Sequence, residues 1–148
     1  MRLLVQRVSR AEVRVEEKTV GKIERGVLVL CGFRKDDRAE SLRKLAEKCV
    51  NLRVFEDEEG KMNLSLLDIG GELLVVSQFT LYADCRKGRR PGFDNSMPPE
   101  EAESFYNNLI TEFRKSGLRV ESGLFGAKMQ VELVNHGPVT IMLDDHEI

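Results

Sequence analysis

Apolar residues in this chain recur more often with the period of a β-strand than with the period of a helix. Residues 2–8 and 11–16 alternate between apolar and polar positions, as half-buried strands do. The uninterrupted apolar run at 27–31, and the strand predicted over 72–79 with its apolar run at 73–76, are typical of strands buried on both faces. Shorter strands are predicted at 19–20, 52–55, 118–121, 127–134 and 139–143. The N-terminal region is therefore predicted to be a β-meander of about four strands.

Two segments have helical periodicity instead. Residues 36–50 place apolar side chains on one face, and Asp36 or Asp37 is suited to cap their start. Residues 98–115 begin with two prolines and two glutamates, which helix N-termini favour, and a glycine follows their end. The elements do not alternate regularly between strand and helix. This order predicts one α+β domain over residues 1–148, with a largely antiparallel sheet or barrel and two main helices.

Composition excludes several classes of protein. The chain has 148 residues with 23 basic and 25 acidic side chains, a net charge of −2, which suits one folded domain. No run of about 18 apolar residues is present, so we expect no membrane span. There are only two histidines, and the cysteines at 31, 49 and 85 form no Cys-x-x-Cys pair. These facts argue against histidine-rich metal sites and zinc ribbons, and unpaired thiols fit a reducing cytoplasm.

A polar stretch, Ser77-Gln78-Phe79-Thr80-Leu81, ends a buried apolar strand. Backbone N–H groups at a strand end can form an oxyanion hole, and Ser77 or Thr80 could donate a hydrogen bond or act as a nucleophile. The alternative is a strand that simply leaves the core, where polar residues are common. No Gly-x-Ser-x-Gly elbow is present, so an α/β-hydrolase is not supported.

A second polar stretch, from Asn135 to Thr140, separates two strand-like runs. Gly137 beside Pro138 predicts a tight turn, which a cis peptide bond would suit. His136 is a candidate general base. The alternative is a hairpin turn in which His136 is merely a polar residue.

The segment Arg86-Lys87-Gly88-Arg89-Arg90 concentrates four positive charges in a chain of net charge −2. Such a patch on an acidic protein favours a polyanion as partner. Lys115, Arg119 and Lys128 are candidates to extend the same face. The alternative is a solvated loop, and the absence of RNA-recognition or KH signatures leaves the nucleic acid unidentified.

Taken together, the polar stretches and two further segments indicate a particular protein family more specifically than any one of them does alone. The most specific segments are, in order, Ser77-Gln78-Phe79-Thr80-Leu81, Gly88-Arg89-Arg90-Pro91, Phe125-Gly126-Ala127-Lys128-Met129 and Asn135-His136-Gly137-Pro138-Val139-Thr140. Through them, and over nearly its full length, the chain resembles the D-aminoacyl-tRNA deacylases, also called D-tyrosyl-tRNA deacylases. One departure is Gly92, where relatives often carry serine, and it affects only the loop.

This resemblance implies a deacylase-like α+β fold and an enzyme, a carboxylic ester hydrolase that performs chiral proofreading in translation. It would hydrolyse the ester between a D-amino acid and the 3′-terminal adenosine of tRNA, and it would reject the L form. The resemblance also implies a cytoplasmic homodimer that needs no cofactor and binds neither membrane nor DNA. Each site would combine Ser77 to Thr80 of one subunit with a cis Gly137-Pro138 pair of its partner.

In such a site the backbone carbonyls of Gly137 and Pro138 would accept hydrogen bonds from the α-ammonium of the substrate. The rigid backbone would leave no space for an L side chain. Glycine has no side chain to exclude, so glycyl-tRNA is expected to be hydrolysed to some degree. Met129 and His136 are candidates for the substrate pocket. Candidates for contact with the acceptor stem are the basic side chains Arg86, Lys87, Arg89 and Arg90.

Two mechanisms of hydrolysis stay open at this point. In the first, Thr80 is a covalent nucleophile, although no base lies near it in the sequence. In the second, N–H groups around Phe79 and the Gln78 side chain position the ester, while a ribose hydroxyl of tRNA assists water. We favour the second, because an ester is activated enough for orientation and oxyanion stabilisation to suffice.

Two other functions are compatible with the same residues. A non-enzymatic RNA-binding module would bind through the basic loop without turnover, and it would not need Gly137 and Pro138. A hydrolase of another ester or amide would use Ser77 or Thr80 as nucleophile. Such a hydrolase would be trapped covalently by an electrophile and would be indifferent to tRNA.

Overall fold

The computed structural model describes all 148 residues as eight strands, three helices and one 3-10 turn. The strands are β1 (Arg2–Val15), β2 (Lys18–Ile23), β3 (Gly26–Gly32), β4 (Phe55–Glu56), β5 (Met62–Leu64), β6 (Glu72–Ser77), β7 (Val120–Ser122) and β8 (Gln130–Asp144). The helices are α1 (Glu40–Asn51), α2 (Leu66–Ile69) and α3 (Pro99–Arg114), and the 3-10 turn is Phe79–Tyr82. None of the helices is long and apolar enough to cross a membrane.

Strand β1 organises the sheet, because three other strands pair with it. Its first half pairs with β3, its second half with β2, and β8 pairs with both halves, all antiparallel. The sequence predicts separate strands over 2–8 and 11–16, but Ser9 and Arg10 continue the strand. The predicted strands 127–134 and 139–143 are likewise one strand, β8. Register shifts on either side of Val8 let the two long strands stay paired.

Strands β3, β6 and β7 pair parallel, whereas the pairings of β1 with β2, β3 and β8, which are longer in total, are antiparallel, so the sheet is largely antiparallel, as predicted. The chain passes through α1 between β3 and β6, and through α3 between β6 and β7. Such long crossovers bring the chain back to the same end of the sheet, which a short hairpin cannot do. The sheet has the order β2-β1-β3-β6-β7, and β8 also pairs with β1. The predicted α+β class is confirmed, with a mixed sheet.

The main sheet curves until its edge strands β2 and β7 nearly meet. A Cβ atom at position 21 would lie 2.6 Å from the carbonyl oxygen of Ser122, so only glycine fits there. Arg119 spans the gap: its guanidinium binds the Glu72 carboxylate at 3.1 Å and donates to the Lys22 carbonyl. The sheet is therefore a nearly closed barrel.

Apolar side chains pack on both faces of the sheet. A cluster of 25 buried residues lies between one face and the helices. A second cluster fills the inside of the curve with Val8, Ala11, Val13, Ile23, Leu28, Leu74 and Val76. Tyr106 of α3 reaches across the larger cluster, and its hydroxyl donates to the Val75 carbonyl at 2.8 Å. This bond fixes α3 against β6, the strand that carries the first polar stretch.

Some local features of the helices and short strands differ from the sequence prediction. Helix α1 begins at Glu40 instead of 36, because the Asp37 carboxylate accepts hydrogen bonds from the Arg34 N–H and from the α-ammonium of Met1. Only the end of the predicted strand 52–55 is extended, as the start of β4. The short helix α2 was not predicted. A reciprocal capping box formed by Ser65 and Asp68 begins it.

Candidate active site

The carboxyl ends of β3 and β6 open onto a cavity of about 610 Å³. This volume is typical of sites for small molecules. Most of the side chains around the cavity are apolar, and none is a histidine or a carboxylate. The lining includes Cys31, Gly32, Phe33, Ser77, Gln78, Phe79, Phe93, Ser96, Met97, Phe125 and Met129. Binding sites for small molecules are usually cavities lined mainly by apolar side chains with a few polar groups.

The polar stretch after β6 is placed at the cavity by the pairing of β6 with β3. Cys31 and Ser77 are the last partners of this parallel pair, and the N–H of Gln78 donates to the Cys31 carbonyl at 2.7 Å. The chain then leaves the sheet as the 3-10 turn, two residues before the strand end predicted at 79. Ser77, Gln78 and Phe79 line the cavity, and Thr80 is exposed on the turn beside them.

The start of the 3-10 turn supplies hydrogen-bond donors. Phe79 and Thr80 are its first residues, and the first N–H groups of a helical turn have no acceptor within it. The Gln78 amide donates to the Thr80 hydroxyl oxygen at 2.5 Å. An amide is not a base, so this contact does not activate the hydroxyl as a nucleophile. The arrangement offers donors to a developing oxyanion.

Phe79 and Phe93 form an exposed aromatic pair at the edge of the cavity. Their ring centroids are 4.9 Å apart, and the ring planes meet at 64°, an edge-to-face arrangement. Phe79 keeps 55% of its surface exposed and Phe93 36%. Adjoining exposed rings of this size are typical of a surface that binds a ligand. Sequence reasoning missed Phe93, because one phenylalanine in a polar loop carries no periodic signal.

The basic loop, residues 85–91, projects next to this aromatic pair. Asp84 and Gly92 exchange two backbone hydrogen bonds, of 2.8 and 2.9 Å, which close the loop at its base. Phe93 follows directly on Gly92. The closed base therefore adjoins the cavity, and the charged tip extends into solvent.

The four cations of the basic loop are not equivalent. The Arg86 guanidinium binds both carboxylate oxygens of Asp84, at 2.8 and 2.6 Å. This pair, with the backbone N–H of Arg86, lowers the pKa of Asp84 to about 2. Lys87, Arg89 and Arg90 are exposed and have no carboxylate within ion-pair distance. Three of the four predicted tRNA contacts are thus free, and Arg86 is already paired.

The other basic residues expected on this face separate into two groups. Lys115 and Arg119 follow the far end of α3 and bind Glu112 and Glu72, so they do not extend the loop's free positive charge. Lys128 is exposed, lies between cavity-lining neighbours and has no carboxylate partner. Of these three residues, only Lys128 adds a free cation beside the cavity.

The segment from Asn135 to Thr140 is a bulge within β8 and not a turn between two strands. Gln6 pairs with Thr140 and Val8 with Asn135, so two residue steps on β1 face five on β8. The Gly137-Pro138 peptide bond is cis, as the resemblance implies, and Gly137 has a φ of +138°. The Asn135 side chain accepts from the backbone N–H of Val139 at 3.1 Å, which closes the bulge.

The buried side chain of Arg7 fixes the bulge by hydrogen bonding. Its guanidinium donates to the His136 carbonyl and to the Val54 carbonyl, both at 2.7 Å. Only 6% of the Arg7 surface is exposed. A Cβ atom at Gly137 would lie 2.8 Å from the Arg7 guanidinium, so the two residues are in close contact. Sequence reasoning did not single out Arg7, because it occupies an ordinary position on a strand.

The bulge does not contribute to the cavity of its own chain. His136, Gly137 and Pro138 are exposed, and none of them lines the cavity. Of the two candidates for the substrate pocket, Met129 is in the cavity wall and His136 is outside it. Within one chain, the structure therefore brings together Ser77 to Thr80 and Met129, but not the Gly137-Pro138 pair.

Ionisable groups and metal ligands are scarce at the cavity. Its one ionisable side chain is Cys31, and burial raises the pKa of that thiol, so it stays protonated and unreactive. Two groups with the residue types of metal ligands surround His146, outside the cavity. They are Asp36, Asp37 and His146, and Asp144, Asp145 and His146. The α-ammonium of Met1 binds Asp37 and Asp145 at 2.7 and 2.5 Å and already balances part of this negative charge.

Comparison with known proteins identifies the family. The family described as D-Tyr-tRNA(Tyr) deacylase matches residues 4–144. A protein of Thermosipho africanus named D-aminoacyl-tRNA deacylase is 60% identical over 148 residues, which are 100% of this chain and 99% of that protein. A protein of Clostridioides difficile with the same name is 56% identical over 144 residues, 97% of each chain.

Solved structures agree on the fold. One described as c-Myc DNA Unwinding Element Binding Protein is 45% identical, has a TM-score of 0.92 and covers 98% of this chain and 99% of that chain. Another, of a probable eukaryotic D-amino acid tRNA deacylase, has a TM-score of 0.85 at 22% identity over 96% of this chain. The second likeness concerns the fold alone.

These matches define a hydrolase that acts on esters of aminoacyl-tRNA. The chain belongs to the D-aminoacyl-tRNA deacylase family. It hydrolyses D-aminoacyl-tRNA and so removes D-amino acids from tRNA, which is proofreading in translation.

Proposed function

We propose that the cavity at the ends of β3 and β6 is where the ester is hydrolysed, and that Gly137 and Pro138 of a second subunit complete it. One observation carries this proposal: the bulge is exposed, is held by Arg7 and lies outside the cavity of its own chain. A fixed, exposed backbone segment is suited to contact another chain. The active protein is then a homodimer with two sites.

The surface around the bulge supports such a dimer. Val134 and Met142 flank the bulge on β8 and are 41% and 45% exposed. Strand β8 pairs with β1 alone, so its other edge is open. Open strand edges with exposed apolar side chains are usually covered by another chain. A second copy would cover this edge and bring its own bulge to the neighbouring cavity.

The chemistry assigned to the cavity is orientation and oxyanion stabilisation. Water attacks the ester carbonyl, and N–H groups of Phe79 and Thr80 donate to the oxyanion that forms. The Gln78 side chain positions the ester. The bond to the ribose oxygen then breaks, the ribose oxygen takes a proton, and the D-amino acid leaves as a carboxylate. A ribose hydroxyl assists the water, because the cavity lining offers no base.

Selection for the D form is assigned to the partner's backbone. The carbonyl groups of Gly137 and Pro138 accept hydrogen bonds from the substrate α-ammonium, and the same atoms leave no space for an L side chain. His136 acts through its carbonyl, which Arg7 holds, and not through its ring. Glycine presents no side chain to exclude, so glycyl-tRNA is also a substrate.

The tRNA is assigned to the positive surface beside the cavity. Lys87, Arg89 and Arg90 are free cations on a loop whose base adjoins the aromatic pair, and Lys128 is exposed between the lining residues Ala127 and Met129. Free cations bind phosphates and release counterions, so binding should weaken with salt. We place the reaction in the cytoplasm, where aminoacyl-tRNA is made and used.

Deacylation of D-tyrosyl-tRNA, L-tyrosyl-tRNA and glycyl-tRNA by the purified protein tests the chirality of the site. We expect rapid loss of the D ester, measurable loss of the glycyl ester and none of the L ester. Inertness towards glycyl-tRNA would contradict selection by steric exclusion.

Mixed dimers test whether the site is shared between subunits. Gln78→Ala damages the cavity, and Gly137→Ala damages the bulge. If sites are shared, co-refolding two such inactive variants at equal amounts gives heterodimers in which one site is intact, so about one site in four is active. If each chain completes its own site, no activity returns.

A further inference from the structure

The hydroxyl of Ser96 is buried, lines the cavity and has no hydrogen-bond partner in the chain. Only one other buried side-chain polar atom, the Tyr82 hydroxyl, is similarly unpaired, and Tyr82 does not line the cavity. A buried hydroxyl without a partner costs stability, so such groups are rare in folded proteins and are often found where a ligand supplies the missing bond. Ser96 therefore has the position and chemistry of a ligand-binding group.

The backbone around Ser96 is fixed. The N–H of Met97 donates to the Phe33 carbonyl at 3.0 Å, and the N–H of Lys35 donates to the Asn95 carbonyl at 3.1 Å. Ser96 itself pairs with Arg34 as an isolated bridge. This segment thus runs beside the continuation of β3, and these main-chain bonds fix the Cα position of Ser96 at the cavity.

Ser77 and Ser96 lie on two different segments, and both segments pair with β3 or with the residues that directly follow it. Ser77 pairs with Cys31 at the end of β3, while Ser96 is attached to the residues that follow Gly32. If the ester lies at residues 77–80, as proposed above, Ser96 faces another part of the substrate. That part is either the amino-acid side chain or the terminal nucleoside.

We propose that the Ser96 hydroxyl binds a polar group of the terminal nucleoside of tRNA and is a substrate-positioning residue. The amino-acid side chain varies among D-aminoacyl-tRNAs, and a buried hydroxyl facing an apolar side chain would be left unpaired. The nucleoside is the same in every substrate. A hydrogen-bonding group in a mostly apolar wall therefore suits the constant part. This inference depends on the proposed location of the active site.

Ser96→Ala tests the proposal through two quantities that move differently. The unfolding midpoint should stay equal or rise, because the variant removes an unpaired buried hydroxyl. The KM should rise about 3- to 10-fold, the value of one neutral hydrogen bond, with kcat little changed. The rise should be the same for D-tyrosyl-, D-leucyl- and D-alanyl-tRNA.

Tyr82→Phe is the matched control, because it removes the other unpaired buried hydroxyl. It should leave KM unchanged for all three substrates. A lower unfolding midpoint for Ser96→Ala would show that the hydroxyl is structural, and an unchanged KM would show that it does not bind substrate. A KM effect on D-tyrosyl-tRNA alone would assign it to the side chain. Each of these results would overturn the proposal.

The proposed active site itself is tested separately by Gln78→Ala. If this variant loses turnover while Ser96→Ala leaves every KM unchanged, only the role of Ser96 is wrong. If Gln78→Ala retains full turnover, the location of the active site is wrong as well.

Discussion

The guanidinium of Arg7 donates to the carbonyl oxygen of His136 at 2.7 Å, between residues 129 positions apart in the chain. The same head group donates to the Val54 carbonyl, so one buried side chain joins the bulge of β8 to the segment before β4. Arg7 does not line the cavity. It is a positioning residue for the backbone that we assign to chiral selection.

Arg7→Lys should loosen the bulge, because an ammonium group cannot reach two carbonyls with the planar fork of a guanidinium. We expect the free energy of unfolding to fall by about 1–3 kcal/mol, the worth of a hydrogen bond to a charged group. Discrimination between D- and L-tyrosyl-tRNA should fall more than kcat does. Arg10→Lys, on the same strand and exposed beside Glu132, is the control. Equal behaviour of the two variants would rule out a role for Arg7 in selection.

Gly137→Ala should remove most of the turnover. The added methyl group would meet the Arg7 guanidinium at 2.8 Å, and a φ of +138° is one that L residues rarely adopt. Gly60→Ala is the matched control, since Gly60 has a φ of +77° and nothing within 4 Å of its added methyl. Gly60→Ala should lose about 1 kcal/mol of stability from the positive φ, and Gly137→Ala should lose more because its methyl group also meets Arg7. Only the first should lose deacylation, measured with D-tyrosyl-tRNA.

Thr80→Ala should keep turnover within about tenfold of the natural chain, because the Thr80 hydroxyl has an amide and no base as its partner. Removing a true covalent nucleophile costs on the order of 10⁴-fold or more. Single-turnover rates with saturating protein separate the two mechanisms. A loss of that size with unchanged binding of substrate would establish Thr80 as the nucleophile. Gln78→Ala, which removes the group that we propose positions the ester, should cost more than Thr80→Ala.

The double variant Arg89→Gln, Arg90→Gln should raise KM and reduce the salt dependence of tRNA binding, by a slope of about 1 for each lost phosphate contact. Arg86→Gln should change that slope little, since Arg86 is already paired with Asp84. Binding is measured by filter retention over a range of salt concentrations. Duplex DNA of equal charge serves as competitor, and strong competition would contradict the expected selectivity for tRNA. Equal slopes for the two variants would contradict the distinction between the paired Arg86 and the free Arg89 and Arg90.

The contact between Asp84 and Arg86 should persist to low pH. The pKa of Asp84 is lowered from its ordinary value to about 2, chiefly by the Arg86 side chain. A carboxylate whose pKa is depressed in the folded chain stabilises the fold at any pH above its pKa in the unfolded chain. This stabilisation is lost as the pH falls towards the pKa in the folded chain. Turnover should therefore show no inflection from Asp84 between about pH 4 and 7. Carboxyl-carbon NMR titration locates the transition, and a midpoint near 4 would contradict it.

The sequence predicts those structural features whose pattern lies within one short segment of the chain. The sequence predicts the strand at 27–31 from an uninterrupted apolar run, and the helix at 98–115 from an apolar period that repeats over several turns. The continuity of β8 through Gly137 was missed, since it follows from pairing with β1 more than a hundred residues earlier. Arg7 looks like the polar side of a strand, and only the folded chain shows that its partner is the His136 carbonyl.

The residues of the candidate site also fall into those that a local sequence pattern indicates and those that it does not. Ser77 to Thr80 could be singled out because hydroxyl and amide side chains interrupt an apolar run. Phe93 and Ser96 could not, because a phenylalanine and a serine in a polar loop are ordinary residues. Their importance comes from the close contact with Phe79 and from the main-chain bonds to the continuation of β3.

The two hydrogen bonds between Asp84 and Gly92 have an evolutionary consequence. They isolate the loop tip from the aromatic pair, so residues 85–91 can be lengthened, shortened or exchanged without shifting Phe79 or Phe93. With the loop in its proposed role as the tRNA contact, preference among tRNAs and chemistry on the ester are adjustable separately. A lineage meeting a new set of tRNAs could change its affinity for them by altering a few exposed residues, while the stereochemical filter stays as it is.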